Sequence, residues 1–338
     1  MNTAVVGMGR MGRRHVEVVL GKQLPLVGIC DRFPEAVEGA GKEFSVPAER
    51  RFADFETMLA KQRPECVVVA THAPSHCEFV CTAARLGARY ILCEKPMAVS
   101  IAECDEMLAA CRKTGAKLAI NHQMRFMEQY TAPKALISDA AFGGLSSVTA
   151  VTGNFGMAMN GTHYFEMFRF LADEPPEAVT AWFSEHFVPN PRGPEFQDRA
   201  GEIRVTTPGG KRFYLAAGDD QGHGLHVTYA GPRGLITVNE LLGAMHVSIR
   251  KAEHRELPTT RYGMPCDESD VTIRPADSTS PTRAVLDALL AEQNYPTGED
   301  GRLAVLTLVA AYASHERGGL PVHLDDRQLP LDRKFPWA

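Results

Sequence analysis

The sequence predicts an α/β domain with a doubly wound parallel sheet over residues 1–122, followed by an α+β domain over residues 123–338 built on a largely antiparallel, open β-sheet with an extended C-terminal tail. Three observations support this prediction. Short apolar runs alternate with longer helical stretches up to about residue 120, which is typical of strand–helix–strand units. Period-two segments replace them after residue 140. The 338 residues, 44% hydrophobic, are enough for two cores.

The strands of the first domain are predicted from runs that are apolar throughout, which indicates strands covered on both faces. These runs are Ala4–Val6, Leu26–Cys30, Cys66–Ala70, Tyr90–Cys93 and Lys117–Ile120. The helix between the fourth and fifth strands is expected to begin at Ser100, because Glu103 follows three residues later as in a capping box. Gly115 marks its expected end.

The second domain is predicted to be antiparallel because alternating segments such as Lys211–Ala216 and Gly234–Val238 are separated by turns. The region Glu253–Pro281 is rich in Pro, Thr, Ser and Asp, and we expect a long loop or arm there. Two helices are expected at Thr282–Glu292 and Glu299–His315, and the last twenty residues are expected to be extended.

Composition excludes several classes of function. The net charge of -5 gives no basic surplus for a nucleic acid backbone. No apolar run reaches the ~18 residues that span a bilayer, and the sequence begins without a signal pattern, so we expect a cytoplasmic protein with no membrane partner. Seven of the eight cysteines precede residue 112, and several lie in predicted buried strands, which favours reduced packing residues.

No metal site is expected from the histidines and cysteines. Cys77 and Cys81 lie four apart on a predicted helix, but no matching pair of ligands accompanies them in the sequence. His223 and His226 flank a predicted hairpin, and no third ligand can be identified for them.

A glycine motif directly follows the first strand and opens a helix. The segment Gly7-Met8-Gly9-Arg10-Met11-Gly12 has the spacing G-x-G-x-x-G. In this context Gly7 permits a tight turn, Gly9 lets the backbone approach a pyrophosphate, and Gly12 lets helix and strand pack closely. The N-terminus of the helix favours the negative charge, so we expect Arg10 and Met11 to contact the cofactor as well. The motif predicts a Rossmann dinucleotide-binding domain.

The choice between NAD and NADP depends on the end of the second strand. Asp31 lies nineteen residues beyond Gly12, where its carboxylate can accept hydrogen bonds from the adenine ribose hydroxyls. A carboxylate would repel a 2′-phosphate, which favours NAD. Arg32 and Arg10 leave NADP possible, because a guanidinium can stack on adenine or pair with that phosphate.

The chemistry is expected at the end of the fourth predicted strand, where Cys93-Glu94-Lys95-Pro96 stands. The carboxyl edge of a parallel sheet is where cofactor and substrate meet. Lys95 is therefore a candidate, and a cis bond to Pro96 would fix its direction.

These motifs together resemble those of the glucose-fructose oxidoreductase, inositol dehydrogenase and rhizopine-catabolism family, known as Gfo/Idh/MocA. The resemblance is strong over the first third of the chain and thin afterwards. The matching stretches are Gly7–Gly12, Ala70–His76, Glu94–Ala98 and Gly161–Glu166. The resemblance implies an NAD(P)-dependent oxidoreductase acting on a sugar, sugar derivative or cyclic polyol.

The resemblance also implies roles for single residues. Lys95 and His163 match the family's catalytic lysine and histidine, one to take the hydroxyl proton and the other to stabilise the alkoxide, with the two roles exchangeable. Further expected cofactor contacts are Thr71, His72, Pro74, His76, Glu94 and Lys95. Expected substrate contacts are Asn121, Arg125, Asn160 and His163, although Arg125 could instead form a salt bridge between domains.

One departure from the family pattern concerns the position four residues before His163. Many members carry an aspartate there, whereas this chain has Met159 with Asn160 beside it. Asn160 can hydrogen-bond a substrate but cannot titrate, which puts the substrate class and catalysis in question. Glu166 matches another acidic position and is interpreted as a possible orienting group.

Three functions are therefore kept. The first is a dehydrogenase or reductase acting on CH–OH groups. The second is a glycosidase that uses NAD transiently, and the third is a non-catalytic, dinucleotide-responsive binding protein. A homo-oligomer, dimer or tetramer, is implied by the family's open sheet. Loops around residues 153–163 and 186–200 are expected to shape the pocket.

Overall fold

The computed structural model describes residues 1–153 and 156–337, and the chain divides into two compact units. The first unit contains Met1–Gln123, Ser278–Val305 and the residues from Leu331 onward. The second contains Met124–Asp277 and Leu306–Pro330. The predicted boundary at residue 122 lies beside this division, but two later segments group with the first unit. These segments form hydrogen bonds with the sheet and helices of the first unit. For example, Ile120 N donates to Pro296 O at 3.0 Å.

The first unit contains a parallel six-stranded sheet in the order β3-β2-β1-β4-β5-β6. Its strands are β1 Thr3–Val6, β2 Leu26–Cys30, β3 Arg51–Phe52, β4 Cys66–Val69, β5 Tyr90–Cys93 and β6 Lys117–Ile120. Its helices are α1 Arg10–Gly21, α2 Pro34–Glu43, α3 Phe55–Gln62, α4 His76–Arg85, α5 Ile101–Thr114 and α8 Thr279–Leu290. Strand order reverses between β1 and β4, which is where a doubly wound sheet binds its ligand.

The five predicted strands of this sheet are present, and the predicted helix start is confirmed. Ser100 Oγ accepts from Glu103 N at 3.2 Å, and α5 ends at Gly115 with φ +79°. The two-residue β3 at the sheet edge was not predicted, because two residues carry no periodic signal. The parallel sheet itself follows from the uniformly buried β1, β4 and β5.

The second unit contains a mixed, mostly antiparallel nine-stranded sheet in the order β14-β13-β12-β11-β7-β10-β9-β8-β15. Its strands are β7 Ser147–Gly153, β8 Ala178–Phe187, β9 Arg199–Thr206, β10 Arg212–Gly218, β11 His226–Ala230, β12 Gly234–Asn239, β13 Ala244–Arg250, β14 Cys266–Thr272 and β15 Val322–His323. β7 and β10 run parallel. The helices α6 Glu128–Ile137 and α7 Thr162–Ala172 belong to this unit, and α9 Gly298–Glu316 passes from the first unit into it.

One face of the second sheet forms the core. Phe168 of α7 stacks on Phe213 of β10 with ring centroids 5.5 Å apart, and Tyr312 of α9 packs on Phe183 of β8 at 4.8 Å. The opposite face presents polar and scattered apolar side chains. This alternation is what the period-two pattern predicted, and the fold class is confirmed.

The expectation of a long loop at Glu253–Pro281 is wrong in two places. Cys266–Thr272 forms β14, which pairs with β13 at the edge of the sheet, and α8 begins at Thr279. β14 has a polar sequence because six of its seven residues are exposed, so it lacks the apolar alternation of a half-buried strand. Among the described residues no helix is both long and apolar enough to cross a bilayer.

Candidate active site

The turn between β1 and α1 is closely packed on one side and open on the other. A Cβ on Gly12 would lie 1.6 Å from Gly7 O, and a Cβ on Gly7, at φ +91°, would lie 2.6 Å from the Ala70 carbonyl carbon. A Cβ on Gly9 would meet no atom within 4 Å. Gly9 caps α1 without a side-chain acceptor, and no acidic residue stands in the first turn. The first N–H groups of α1 therefore suit an anion.

Arg10 and Met11 occupy that first turn, Arg10 exposed and Met11 half-buried. Asp31 follows β2 and braces the turn, because its Oδ2 accepts from Met8 N at 2.6 Å and its Oδ1 accepts from Phe33 N at 3.0 Å. Arg32 is exposed, with its guanidinium 4.7 Å from the centre of the Phe33 ring. Asp31 thus lies at the glycine turn, and each of its oxygens keeps a second lone pair for a ligand.

The segment after β4 carries four of the predicted cofactor residues. Thr71 Oγ1 accepts from Ser75 Oγ at 2.8 Å, and the exposed His72 and Pro74 follow. The buried His76 begins α4, with Nδ1 3.0 Å from Pro96 O and Nε2 3.1 Å from Thr71 O. Burial lowers the pKa of His76, so the neutral ring donates to one of these carbonyls.

A buried carboxylate network lies directly before Lys95. Glu94 Oε1 is 2.8 Å from His15 Nε2 and accepts from Asn121 Nδ2 at 2.8 Å. Burial alone would raise the pKa of Glu94, but the hydrogen bond and charge of His15, with Lys95 and Asn121, hold it well below its usual value. Glu94 is therefore ionised at neutral pH inside the protein.

His15 was not predicted as a site residue. It lies in α1, 79 positions before Glu94, and the sequence gives no spacing rule that would pair them. The signal that could have found it is a histidine on the inward face of a helix that also carries the glycine motif, because a buried histidine needs a polar partner.

Lys95 is half-buried and its peptide bond to Pro96 is cis. Lys95 N donates to Glu94 Oε2 at 3.3 Å, so the charged network touches the backbone of the candidate catalytic residue. Asn121 Oδ1 is buried and has no hydrogen-bond partner among the described residues, which leaves it an acceptor to offer a ligand. The strands β5 and β6 are neighbours in the sheet. Glu94 and Lys95 follow β5 and Asn121 follows β6, so all three lie at the same sheet edge.

The second unit holds the other candidate residues. Asn160 is half-buried in a π-helical turn at Met157–Gly161, and the buried His163 lies in the first turn of α7. The buried Asp198 accepts from Ala158 N and Met159 N, each at 2.8 Å, and so holds this turn. Asp198 was not predicted, because it lies about forty residues away in a loop without periodicity.

Arg125 forms a buried ion pair within the second unit, with Glu166 of α7. The same Glu166 oxygen pairs with Arg169 Nη2 at 3.0 Å. This ion pair joins two residues of the second unit, whereas the alternative expected for Arg125 was a salt bridge between domains. Glu166 lies one helical turn from His163.

Other predicted features have different outcomes. His223 and His226 have ring centroids 5.9 Å apart, and the described residues show no third ligand beside them. In the first pocket loop, residues 154 and 155 lie outside the described residues. A cavity of about 540 Å³ in the second unit includes His186 and Ala200 from the second loop, but none of the predicted substrate residues.

Comparison with known proteins finds, over the first 122 residues, a match to the family that the motifs resemble. Residues 1–122 match the sequence profile of a family described as "Oxidoreductase family, NAD-binding Rossmann fold" (GFO_IDH_MocA). D-apiose dehydrogenase of Paraburkholderia graminis is 32% identical over 143 residues, covering 41% of this chain and 37% of that protein. Inositol 2-dehydrogenase of Rhizobium meliloti is 29% identical over 191 residues, covering 52% and 56%. The chain thus matches only about a third to a half of these relatives.

The fold likeness extends over nearly the whole chain. The crystal structure of an oxidoreductase from Agrobacterium radiobacter, in complex with NAD+, L-tartaric acid and magnesium, superposes with a TM-score of 0.79 at 18% identity. The match covers 96% of this chain and 98% of that one. At this identity the likeness shows the fold alone.

Proposed function

Because residues 1–122 match the model of the Gfo/Idh/MocA oxidoreductase family, we propose that the protein is a dehydrogenase that uses NAD to oxidise, reversibly, a secondary hydroxyl of a sugar, sugar derivative or cyclic polyol. The observation that carries the proposal is the sheet edge of the first unit. There the open glycine turn, Asp31 and the Glu94–Lys95 pair all follow parallel strands at their carboxyl ends. The names of the two dehydrogenase relatives support the substrate class.

The residues of the glycine turn fit a dinucleotide. Gly9 leaves open space, and the helix start has no acidic or capping side chain to compete with a pyrophosphate. Asp31 would hold the adenine ribose, and its negative charge favours NAD over NADP. NADP remains the second choice, because the guanidinium of Arg10 or Arg32 could pair with its 2′-phosphate.

The proposed chemistry divides the work between a lysine and a histidine. NAD, when bound, supplies the acceptor for the hydride that leaves the carbinol carbon. The imidazole of His163 takes the hydroxyl proton, since histidine titrates near neutral pH. The Lys95 ammonium stabilises the alkoxide, and the ionised Glu94 fixes the backbone of Lys95.

Three polar residues are proposed to bind the substrate. Asn121 offers its unpaired Oδ1, Asn160 offers an amide from the turn before His163, and Arg125 lies beside Glu166. Arg125 shares the single carboxylate of Glu166 with Arg169, so its positive charge can still attract an anionic or hydroxyl-rich group of the substrate.

Replacing the candidate lysine tests the assignment directly. We expect Lys95→Met to lower kcat by at least about 10²-fold, because the alkoxide loses its cation. Thermal stabilisation by NADH should remain. Lys113→Met, an exposed lysine of the same unit, is the matched control and should keep the wild-type rate. Undiminished turnover in Lys95→Met would refute the proposed role.

The histidine is tested in the same way. We expect His163→Asn to lower kcat by about 10²-fold or more and to remove the pH dependence that the base imposes. The exposed His323 gives the control, His323→Asn, with a wild-type profile. A His163→Asn variant with an unchanged pH–rate profile would assign the base elsewhere.

The cofactor is tested by thermal unfolding of stripped protein with NAD, NADH, NADP and NADPH in turn. A ligand at a hundred times its dissociation constant stabilises by ~2.7 kcal/mol, which shifts the transition by several degrees. Stabilisation by NADH but not NADPH supports Asp31 as the ribose-binding residue. No shift with any of the four would favour the non-catalytic alternative, to which Met159 in place of an aspartate also points.

A product assay separates the remaining alternative. A glycosidase that uses NAD transiently would release an aglycone from a glycoside without accumulating NADH. A dehydrogenase produces NADH in proportion to the oxidised substrate.

We also propose that the protein is a cytoplasmic homo-oligomer. Trp182, Tyr214 and Leu235 are exposed on the open face of the second sheet, where a second copy would cover them. The eight free cysteines suit a reducing compartment. Sedimentation of the purified protein tests the assembly, and a monomer at micromolar concentration would contradict it.

A further inference from the structure

Three side chains of the first unit that take no part in the proposed catalysis form a cluster. Cys77 and Cys81 belong to α4, and Glu106 belongs to α5. One ligand atom from each, two thiol sulfurs and a carboxylate oxygen, lie within 4.8 Å of one another. Cys77 is buried, Cys81 is half-buried and Glu106 is exposed, so the cluster opens to solvent on one side.

The helices place these atoms in a suitable geometry. Residues four apart lie on the same face of a helix, so both thiols point toward α5. Cys77 Sγ donates to Glu103 O of that helix at 3.6 Å. In a tetrahedral zinc site with Zn–S near 2.3 Å, neighbouring sulfurs lie about 3.8 Å apart. The three atoms therefore need to move by an ångström or less to share one ion.

We propose that Cys77, Cys81 and Glu106 form a binding site for a thiophilic divalent cation such as Zn²⁺ or Cd²⁺, with water as the fourth ligand. On binding, each thiol releases its proton to solvent and coordinates as a thiolate, while the carboxylate coordinates without losing a proton. The expectation of no zinc is thereby revised. Glu106 lies 25 positions after Cys81, outside any ligand-spacing pattern.

The two thiols lie next to each other, and a hydrogen bond joins Cys77 and Cys81. Cys81 is the more exposed of the two, so an incoming ion reaches its sulfur first.

The site lies directly behind the nucleotide-binding edge, since Cys77 follows His76 in the sequence. His76 contacts the carbonyls of Thr71 and Pro96, one on each of two loops at that edge. A cation that joins α4 to α5 would therefore stabilise the helix that anchors these loops. This site does not depend on the proposed dehydrogenase activity.

The first experiment titrates the reduced full-length protein with Cd²⁺ and follows the ultraviolet thiolate-to-cadmium charge-transfer band. We expect one equivalent to bind in the wild type. We expect the band to disappear in Cys81→Ser, and in Cys81→Ala should the serine variant misfold. Cys266→Ser, which removes a half-buried cysteine of the second unit, is the matched control and should bind like the wild type.

The second experiment measures Zn²⁺ affinity by competition with a chelator and Zn²⁺-dependent thermal stabilisation. We expect Glu106→Gln to weaken Zn²⁺ by at least about tenfold, because the site loses an anionic ligand. A band that persists in Cys81→Ser, a band that is lost in Cys266→Ser, or an unchanged Zn²⁺ affinity in Glu106→Gln would each overturn the three-ligand site.

Discussion

Two glutamates, one in each unit, are almost equally buried, and yet their pKa values are shifted in opposite directions. Glu94 is 3% exposed and Glu240 is 4% exposed. His15 and Asn121 bond Glu94 and hold its pKa well below the usual value. Among the described residues the carboxylate of Glu240 accepts a single hydrogen bond, from Tyr164 Oη at 3.5 Å, and burial raises its pKa to about 8. Its Oε1 has no hydrogen-bond partner in the described part of the chain.

The difference shows that partners, and not burial, decide the charge of a carboxylate inside this protein. Desolvation acts on both in the same direction. Of the two, Glu94 has two nitrogen partners on one carboxylate oxygen, namely His15 of α1 and Asn121, which follows β6. The charged one lies at the candidate active site, and the neutral one lies in the core of the second unit.

The largest expected effect comes from removing the partner of Glu94. We expect His15→Leu to lower the free energy of unfolding at neutral pH by about 3 kcal/mol, because the buried carboxylate loses its main partner. Urea unfolding measures this change. His15→Gln, which retains a donor, should recover part of the loss. Combining His15→Leu with Glu94→Gln should cost less than the sum of the single changes, and strict additivity would contradict the coupling.

The second prediction concerns the pH dependence that Glu240 imposes. Its folded pKa of about 8 exceeds the ordinary value of 4.5, so between these pH values the native state binds more protons than the unfolded state. Its contribution is therefore fully present below pH 4.5 and is lost as pH rises through 8.

Glu240→Gln should remove this loss, so that its unfolding free energy falls less than that of the wild type between pH 5 and 9. Urea midpoints across that range measure the difference. The exposed Glu195 provides the control, and Glu195→Gln should keep the wild-type dependence. Parallel pH profiles for the wild type and Glu240→Gln would show that Glu240 is ionised in the folded protein.

The smallest effect is expected at a third buried carboxylate, Asp198, which accepts hydrogen bonds from the backbone N–H groups of Ala158 and Met159. Asp198→Asn keeps one acceptor oxygen and loses the charge, so we expect a loss of about 1–2 kcal/mol in unfolding free energy. Because the turn it holds precedes His163, kcat should fall more than KM rises. Unchanged stability and kcat would mean that the turn at Met157–Gly161 keeps its shape without Asp198.

The elements that the sequence predicted well are those defined by neighbouring residues. The strands β1, β4 and β5 are buried along their whole length, so their sequences are continuous apolar runs. The cap of α5 needs only Ser100 and Glu103. The glycine motif likewise follows from three positions within six residues. Such patterns are local, so periodicity and capping chemistry are sufficient.

The features that escaped prediction depend on distant partners. The fold brings together residues that are far apart in the sequence. Such pairs are His15 with Glu94, Asp198 with Met159, and Glu106 with Cys81. β14 escaped for a related reason. An exposed edge strand bonds to one neighbour and buries little, so its sequence has the composition of a loop.

The path of the chain through the first unit limits how this domain can be moved between proteins. A fragment ending at residue 122 would lack Pro296, which bonds Ile120, and Thr282, which accepts from Asn121. It would also lack Phe335, whose N–H donates to Val99 O at 2.9 Å. The first unit is therefore built from three separate chain segments. A recombination event or an engineered chimera must transfer all three segments together to preserve it.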